Sequence, residues 1–248
     1  MTLRRILLAG ALGIVVGAAS LSGTAWASAT GTVHTSGAAL TIRTGPSTTV
    51  GSNGSVANGA QVTISCQIYG QSESGTYGTS NVWDKVSGGF VADTYIYTGS
   101  DGLVAPLCGS KSTCSTAGFN DPNTCAQAVA WEKAHKSTAD NPNYYELCDH
   151  VAGLAYGFPA SGSTTALAHW NAVPGADKHA NDYDVPAGGL AFFGGGAGHV
   201  MVSIGGGQFM STDIHGNGTL TVTTIAEVSS AWAKAYLGWT QPWFQYNH

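Results

Sequence analysis

Gly198-His199-Val200-Met201-Val202-Ser203-Ile204 leads into Gly205-Gly206-Gly207 and then Gln208-Phe209-Met210-Ser211-Thr212-Asp213. The first segment alternates. Val200, Val202 and Ile204 fall on one face of a strand, the core face, and His199, Met201 and Ser203 on the other. The glycines read as the loop of a hairpin. With all three in the loop, Ile204 pairs with Gln208, and His199 lies directly opposite Asp213 on the same face. Opposed side chains in a ladder are close enough for a carboxylate to hold an imidazole.

The segments around this hairpin give the architecture. Leu190 to Phe193 and Leu220 to Thr224 read as further strands. Three helices precede them: Thr124 to Lys136, Leu147 to Tyr156 stopped by Gly157 and Pro159, and Thr164 to Val173 stopped by Pro174. Helices followed by a run of strands predict an α+β domain over 121–248, with the helices packed on an antiparallel sheet. Residues 30–100 differ in texture. Leu40 and Ile42, Val62 and Ile64, Val82 to Val86, and Phe90-Val91 form short alternating runs. Gly51-Ser52-Asn53-Gly54 and Ser87-Gly88-Gly89 separate them, a spacing that predicts a small all-β barrel. Residues 101–120, rich in Gly, Ser and Thr, read as a linker.

At the start, Arg4-Arg5, the apolar run Ile6 to Leu21 and the small-x-small sites Ala25-Trp26-Ala27 and Ala27-Ser28-Ala29 read as an export signal over 1–29. The apolar run is short for a membrane span. Charged residues make up 9% of the chain and the net charge is −5. That balance gives neither the basic footprint that nucleic acid requires nor a basic patch for anionic lipid. The expectation is a secreted monomer, extracellular or wall-associated, with no membrane contact once the signal is removed.

Export places the five cysteines in an oxidising setting. Cys66, Cys108, Cys114 and Cys125 can pair among themselves in more than one way, leaving Cys148 over. Cys148 stands near a helix start, where free N–H groups and the helix dipole favour a thiolate. A thiol followed by a distant histidine is the skeleton of a cysteine nucleophile and its base. His150, two residues on, faces elsewhere on the helix. His169 and Trp170 read as packing residues, His215 as a reserve partner for the imidazole, and Tyr144 or Tyr145 as aromatic core contacts or an oxyanion donor. No metal-ligand spacing occurs among Asp149, His150, His199 and Asp213, and no cofactor is expected.

Two resemblances join these readings. Leu40-Thr41-Ile42-Arg43-Thr44-Gly45-Pro46-Ser47, Gly59-Ala60-Gln61-Val62, Trp83-Asp84-Lys85-Val86 and Gly88-Gly89-Phe90-Val91 resemble the bacterial SH3-like wall-targeting domain. Within that frame, a Cys66–Cys108 bridge would tie down the barrel's tail and a Cys114–Cys125 bridge would close a small loop, with other pairings still open. The helix-borne Cys148, then Pro186-Ala187-Gly188-Gly189-Leu190-Ala191-Phe192-Phe193, then Gly198-His199 and the glycine hairpin resemble the NlpC-type, papain-like peptidases of bacterial cell walls. The resemblance implies Cys148 as nucleophile, His199 as base, and peptidoglycan as partner and substrate. It implies cleavage of a stem-peptide amide, with amidase action and non-catalytic wall binding as alternatives. The family's usual third position falls nearest Ser211. Asp213 shares its face and is the expected third member, because a carboxylate orients an imidazole better than a hydroxyl does. Leu147-Cys148-Asp149-His150 and Gly189 depart from the family pattern, which has Asp-Cys-Ser-Gly and an acidic residue at those places.

Overall fold

The computed structural model describes residues 28–110, 112–139 and 143–248. The export signal expected over 1–29 lies outside these, apart from its last two positions. The N-terminal part is built from strands: β1 (Ala29–Val33), β2 (Leu40–Arg43), β3 (Ser52–Val56), β4 (Gln61–Ile64), β5 (Cys66–Gly75), β6 (Gly78–Val86), β7 (Gly89–Ala92) and β8 (Ile96–Tyr97). They form a three-stranded sheet, β4-β1-β8, and a five-stranded sheet, β3-β2-β7-β6-β5. Val33, Ile64, Val91 and Ile96 fill one core cluster; Ile68, Trp83 and Phe90 fill a second.

One expectation fails here. Gly51-Ser52-Asn53-Gly54 is not a separator, because Ser52 to Val56 form the edge strand β3. Almost wholly exposed, β3 has no apolar alternation to betray it and is held by its ladder to β2. Cys66 opens β5, the opposite edge of that sheet. Cys66 and Cys108 are joined, as are Cys114 and Cys125. The first bridge works alongside the buried Gln67. Its Oε1 accepts from Val104 N (2.7 Å) and Ala105 N (3.1 Å), and its backbone exchanges bonds with Pro106 and Cys108. Residues 104–108 therefore lie along β5 rather than hang as a free tether.

The C-terminal part contains α1 (Cys125–Ala134), α2 (Cys148–Ala155), α3 (Ala166–Ala172), β9 (Lys178–Ala180), β10 (Leu190–Phe193), β11 (His199–Gly205), β12 (Gln208–Thr212), β13 (Leu220–Thr224), α4 (Ile225–Trp232) and β14 (Tyr236–Thr240). The strands form one antiparallel sheet in the order β13-β12-β11-β10-β14-β9. Thr124 starts α1 with a reciprocal capping box to Gln127. Sequence periodicity alone does not reveal α4 or β14. Helix α4 begins directly at the end of β13, capped by Thr224. Strand β14 sits between β10 and β9 although it comes last in the chain.

Both faces of the sheet are covered. Leu190, Phe192, Val200 and Val202 pack on Ala152, Ala155 and Tyr156 of the α2 layer. Ala191, Phe193, Met201 and Phe209 pack on Ile225 and Val228 of α4. The His199–Met201–Ser203 face is thus a second core face, with Ser203 fully buried.

The hairpin turn is tighter than its three glycines suggest. Gly205 pairs with Gln208, so the loop is Gly206-Gly207, and the register then shifts so that Ser203 pairs with Phe209. A bulge at Ile204 absorbs the extra residue. The tip of this turn also touches the N-terminal sheet. Tyr69 N donates to Gly206 O (3.2 Å), and a Cβ added to Gly207 would lie 2.2 Å from Ile68 Cγ1. Asp184 strengthens the same seam by accepting from Gly109 N and approaching Lys85 Nζ at 3.8 Å.

Gly207 has φ +78°. The substitution Gly207→Ala should lower the unfolding free energy by about 2 kcal/mol or more, from left-handed strain plus overpacking. Gly195→Ala, at φ +84° but in open space, should cost only the strain, about 1 kcal/mol. Equal losses in chemical denaturation would show that the turn has no docking role.

Candidate functional site

A cleft of about 670 Å³ opens where the start of α2 meets the start of β11. Leu147, Cys148, Asp149 and His150 line it from the helix, and Gly198 and His199 from the strand. Ser163, Thr164 and Thr165 form another wall, and Trp232 and Lys234 close the far side. Cys148 is the unpaired cysteine and is the first residue of α2. Leu147 offers no side-chain cap to the helix. The first-turn N–H groups, which have no partner within the helix, therefore stay available to negative charge in the cleft.

His199 is buried. Its Nε2 meets Ser211 Oγ at 2.8 Å, and Ser211 Oγ in turn donates to Thr212 O at 3.1 Å. That bond leaves Nδ1 as the ring nitrogen for other chemistry. The indole of Trp232 meets the ring edge to face, with centroids 4.9 Å apart and planes at 83°. Among the described residues, no hydrogen bond joins the Cys148 thiol to this ring. Thiol and imidazole line the same cleft.

The expected role of Asp213 is not what the geometry gives. The ladder does bring its position opposite His199, but β12 ends at Thr212 and Asp213 turns into the left-handed region at φ +68°. Its carboxylate accepts from Glu146 N (3.0 Å) through Oδ2 and from Gly218 N (2.7 Å) through Oδ1. Asp213 therefore clamps the segment before Cys148 onto the turn after β12, and the imidazole is held by Ser211. A strand-register argument cannot foresee this, because the backbone leaves the ladder one residue earlier. His215, the expected reserve, is engaged with Thr221 Oγ1 and Glu227 Oε1, each at 2.8 Å.

Sequence reasoning missed a buried network beneath Cys148. Asp149 Oδ1 meets His169 Nδ1 at 2.6 Å, and Asp149 Oδ2 accepts from Ser161 Oγ. His169 Nε2 meets Trp243 O at 2.5 Å. Both ring nitrogens of the fully buried His169 face oxygen acceptors. This network fastens α2, α3 and the C-terminal segment together around the cleft wall. Its sequence signals were an acidic residue directly after Cys148 and a histidine inside an Ala-rich helix, each unremarkable alone.

Burial dominates the electrostatics. It pushes the Cys148 thiol up to about 12; the nearby N–H groups act the other way, and the charges of Asp149 and Asp213 add to the rise. Burial, helped by the Lys234 charge, pulls the His199 imidazole down to about 3. The helix start alone predicted a favoured thiolate. In the closed-packed site, desolvation outweighs it, and the resting pair is neutral thiol and neutral imidazole. Cys66, Cys108 and Asp184 are the one described group of three close donor atoms that could hold a metal, and their two sulfurs are consumed by a disulfide.

No protein-family model matches the chain. Two curated proteins of Bacillus subtilis (strain 168), the uncharacterized proteins YraJ and YraI, are 43% and 41% identical to it over 63 residues. The match takes in 22% of this chain and 53% of each relative, so the chain spans about half the length of the curated relatives it matches. Among solved structures, NlpC2 from Trichomonas vaginalis is similar over 88% of this chain and 74% of its own, at 16% identity and a TM-score of 0.36. NlpC1 from the same organism is similar over 88% and 70%, at 14% identity and a TM-score of 0.35. Both likenesses are remote.

The neutral resting pair is directly measurable. In an NMR titration of labelled histidine, the His199 ring should remain neutral from pH 8 down to about pH 4, since its proton-binding midpoint lies near 3. Iodoacetamide should alkylate native Cys148 about tenfold faster for each pH unit between 7 and 10, as the thiolate fraction rises toward a midpoint near 12. A His199 midpoint near 6.5, or alkylation that levels off by pH 8, would contradict the neutral pair.

Proposed function

We propose that this chain is an exported cysteine hydrolase of the NlpC, papain-like type that cleaves an amide in the stem peptide of peptidoglycan. In this reading its N-terminal β part is an SH3-like wall-binding domain. The observation that carries the reading is the shared cleft: an unpaired thiol at an uncapped helix start, with a buried imidazole whose Nε2 is already held by Ser211. The order of cysteine, glycine-histidine strand and glycine hairpin along the chain agrees with it. Two disulfides support an oxidising, extracellular location.

The mechanism follows from the neutral pair. In this reading the Cys148 thiol meets Nδ1 of His199, the ring nitrogen that Ser211 does not hold. The neutral imidazole accepts the thiol proton as sulfur attacks the amide carbon, so nucleophile and imidazolium form together. The N–H groups at the start of α2 receive the oxyanion. The imidazolium, held by Ser211 through Nε2, then protonates the leaving amine. Water, deprotonated by His199, hydrolyses the thioester and restores the thiol. Ser211 is the positioning residue for the ring, and Asp213 holds the loop that carries the nucleophile.

Cys148→Ala should abolish release of soluble fragments from purified wall while leaving wall binding intact; undiminished release would defeat the proposal. Ser211→Ala should lower kcat about tenfold, the loss of one orienting hydrogen bond of about 1–1.5 kcal/mol, with KM unchanged. Mass spectrometry of the products decides the bond. A new amino terminus inside the stem peptide marks an endopeptidase, and free lactyl-sugar an amidase.

A further inference from the structure

The large apolar side chains left exposed among the described residues gather mainly at two places. Tyr145 and Leu147 stand at the mouth of the cleft. Tyr77 and Tyr97, 43% and 55% exposed, stand together on the N-terminal β part. His34 completes the second group. Its ring centroid lies 5.8 Å from that of Tyr77 and 6.0 Å from that of Tyr97, and the two tyrosine rings are 5.8 Å apart. The three planes differ by at most 38°, and those of His34 and Tyr97 by only 6°. His34 is stacked with Tyr97, the other two pairs are tilted, and the exposed faces of the group belong to Tyr77 and Tyr97. His34 Nδ1 meets the Tyr77 hydroxyl, so this pair joins edge to edge.

The shelf is drawn from three separate stretches of chain that hydrogen bonds join: Tyr77 N donates to Thr94 O (2.9 Å), His34 N to Tyr95 O (2.7 Å), and Thr76 Oγ1 to His34 O (2.6 Å). Beside the shelf runs a groove of about 460 Å³, lined by Tyr77 and Tyr97 and by Thr79, Thr98, Asp93 and Asp101, with no Lys or Arg in its walls.

We propose that His34, Tyr77 and Tyr97 form a stacking shelf for the pyranose rings of an uncharged glycan chain, whose hydroxyls bond to the groove beside it. Flat, exposed aromatic faces complement the C–H face of a sugar ring, which is apolar while its edge is polar. Threonine hydroxyls and carboxylates suit that edge, because a sugar hydroxyl both donates and accepts. Two carboxylates without a counter-cation disfavour a polyanion, and the groove lacks the apolar pockets that would hold aliphatic peptide side chains. Burial, and then the Asp101 charge, push the Asp93 carboxyl up to about 6, which marks that end of the groove as partly shielded from water. Assigning the glycan to the bacterial wall rests on the proposed function above; the shelf itself does not.

The experiment uses the full chain carrying Cys148→Ala, so that binding is read without turnover. N-acetylglucosamine hexamer and a free stem pentapeptide are titrated separately by calorimetry. The hexamer should bind saturably. Tyr77→Ala and Tyr97→Ala should each weaken it at least tenfold, with the melting temperature unchanged. Tyr97→Phe, which keeps the ring and removes the hydroxyl, should retain most of the affinity and guards against a folding artefact. Absence of hexamer binding, affinity indifferent to both alanine substitutions, or Tyr-dependent binding of the pentapeptide alone would overturn the shelf. A wild-type chain that releases no wall fragments while the hexamer binds in this Tyr-dependent way would defeat the hydrolase and leave the shelf standing.

Discussion

The seating of α2 on β11 is the constraint on which the rest of the site depends. Ala152 and Ala155 meet Val200 and Val202 in one buried cluster, and Cys148 packs against the same cluster from the helix start. Small side chains permit this close approach. A Cβ on Gly153 would come within 2.6 Å of the Ala160 backbone, so the next loop also lies tight against the helix. With helix and strand so fixed, the first residue of each, Cys148 and His199, must open on the same cleft. A larger residue at Ala152 or Ala155 would lift the helix and move the thiol away from the strand, whatever its effect on stability.

Around that contact the structure places two polar clamps with different duties. Asp149, His169 and Ser161 are buried and tie the helical layer to the C-terminal segment behind Cys148. Asp213 works in front of it, holding the Glu146 backbone, itself left-handed at φ +56°. Two non-glycine residues in that conformation, bonded to each other next to Cys148, are a cost the fold accepts in order to fix the loop. Burial in the cleft they frame disfavours the charged forms of both the thiol and the imidazole.

Much of this was legible in the linear chain, and the failures are instructive. Leu190 to Phe193 and Leu220 to Thr224 are strands with the expected limits, because each is a short apolar or β-branched run that follows a turn or loop. Strand β3 escaped because it has no apolar face, and β14 because Tyr236 to Thr240 follow a helix that was itself unrecognised. The glycines after Ile204 were read as turn formers only. Their second duty, admitting the backbone of β5 to the hairpin tip, depends on a contact between segments more than a hundred residues apart.

Local pattern by itself determined the element types, the odd cysteine, the glycine-histidine strand and the face on which His199 lies, because these follow from periodicity and counting. The tertiary structure decided which oxygen holds the imidazole, where the Asp213 carboxylate goes, and whether thiol and ring are charged. Those outcomes turn on a backbone that leaves its ladder at one residue and on how much water remains in a cleft. Both depend on segments distant in sequence meeting at ångström separations, which no reading of neighbours along the chain contains.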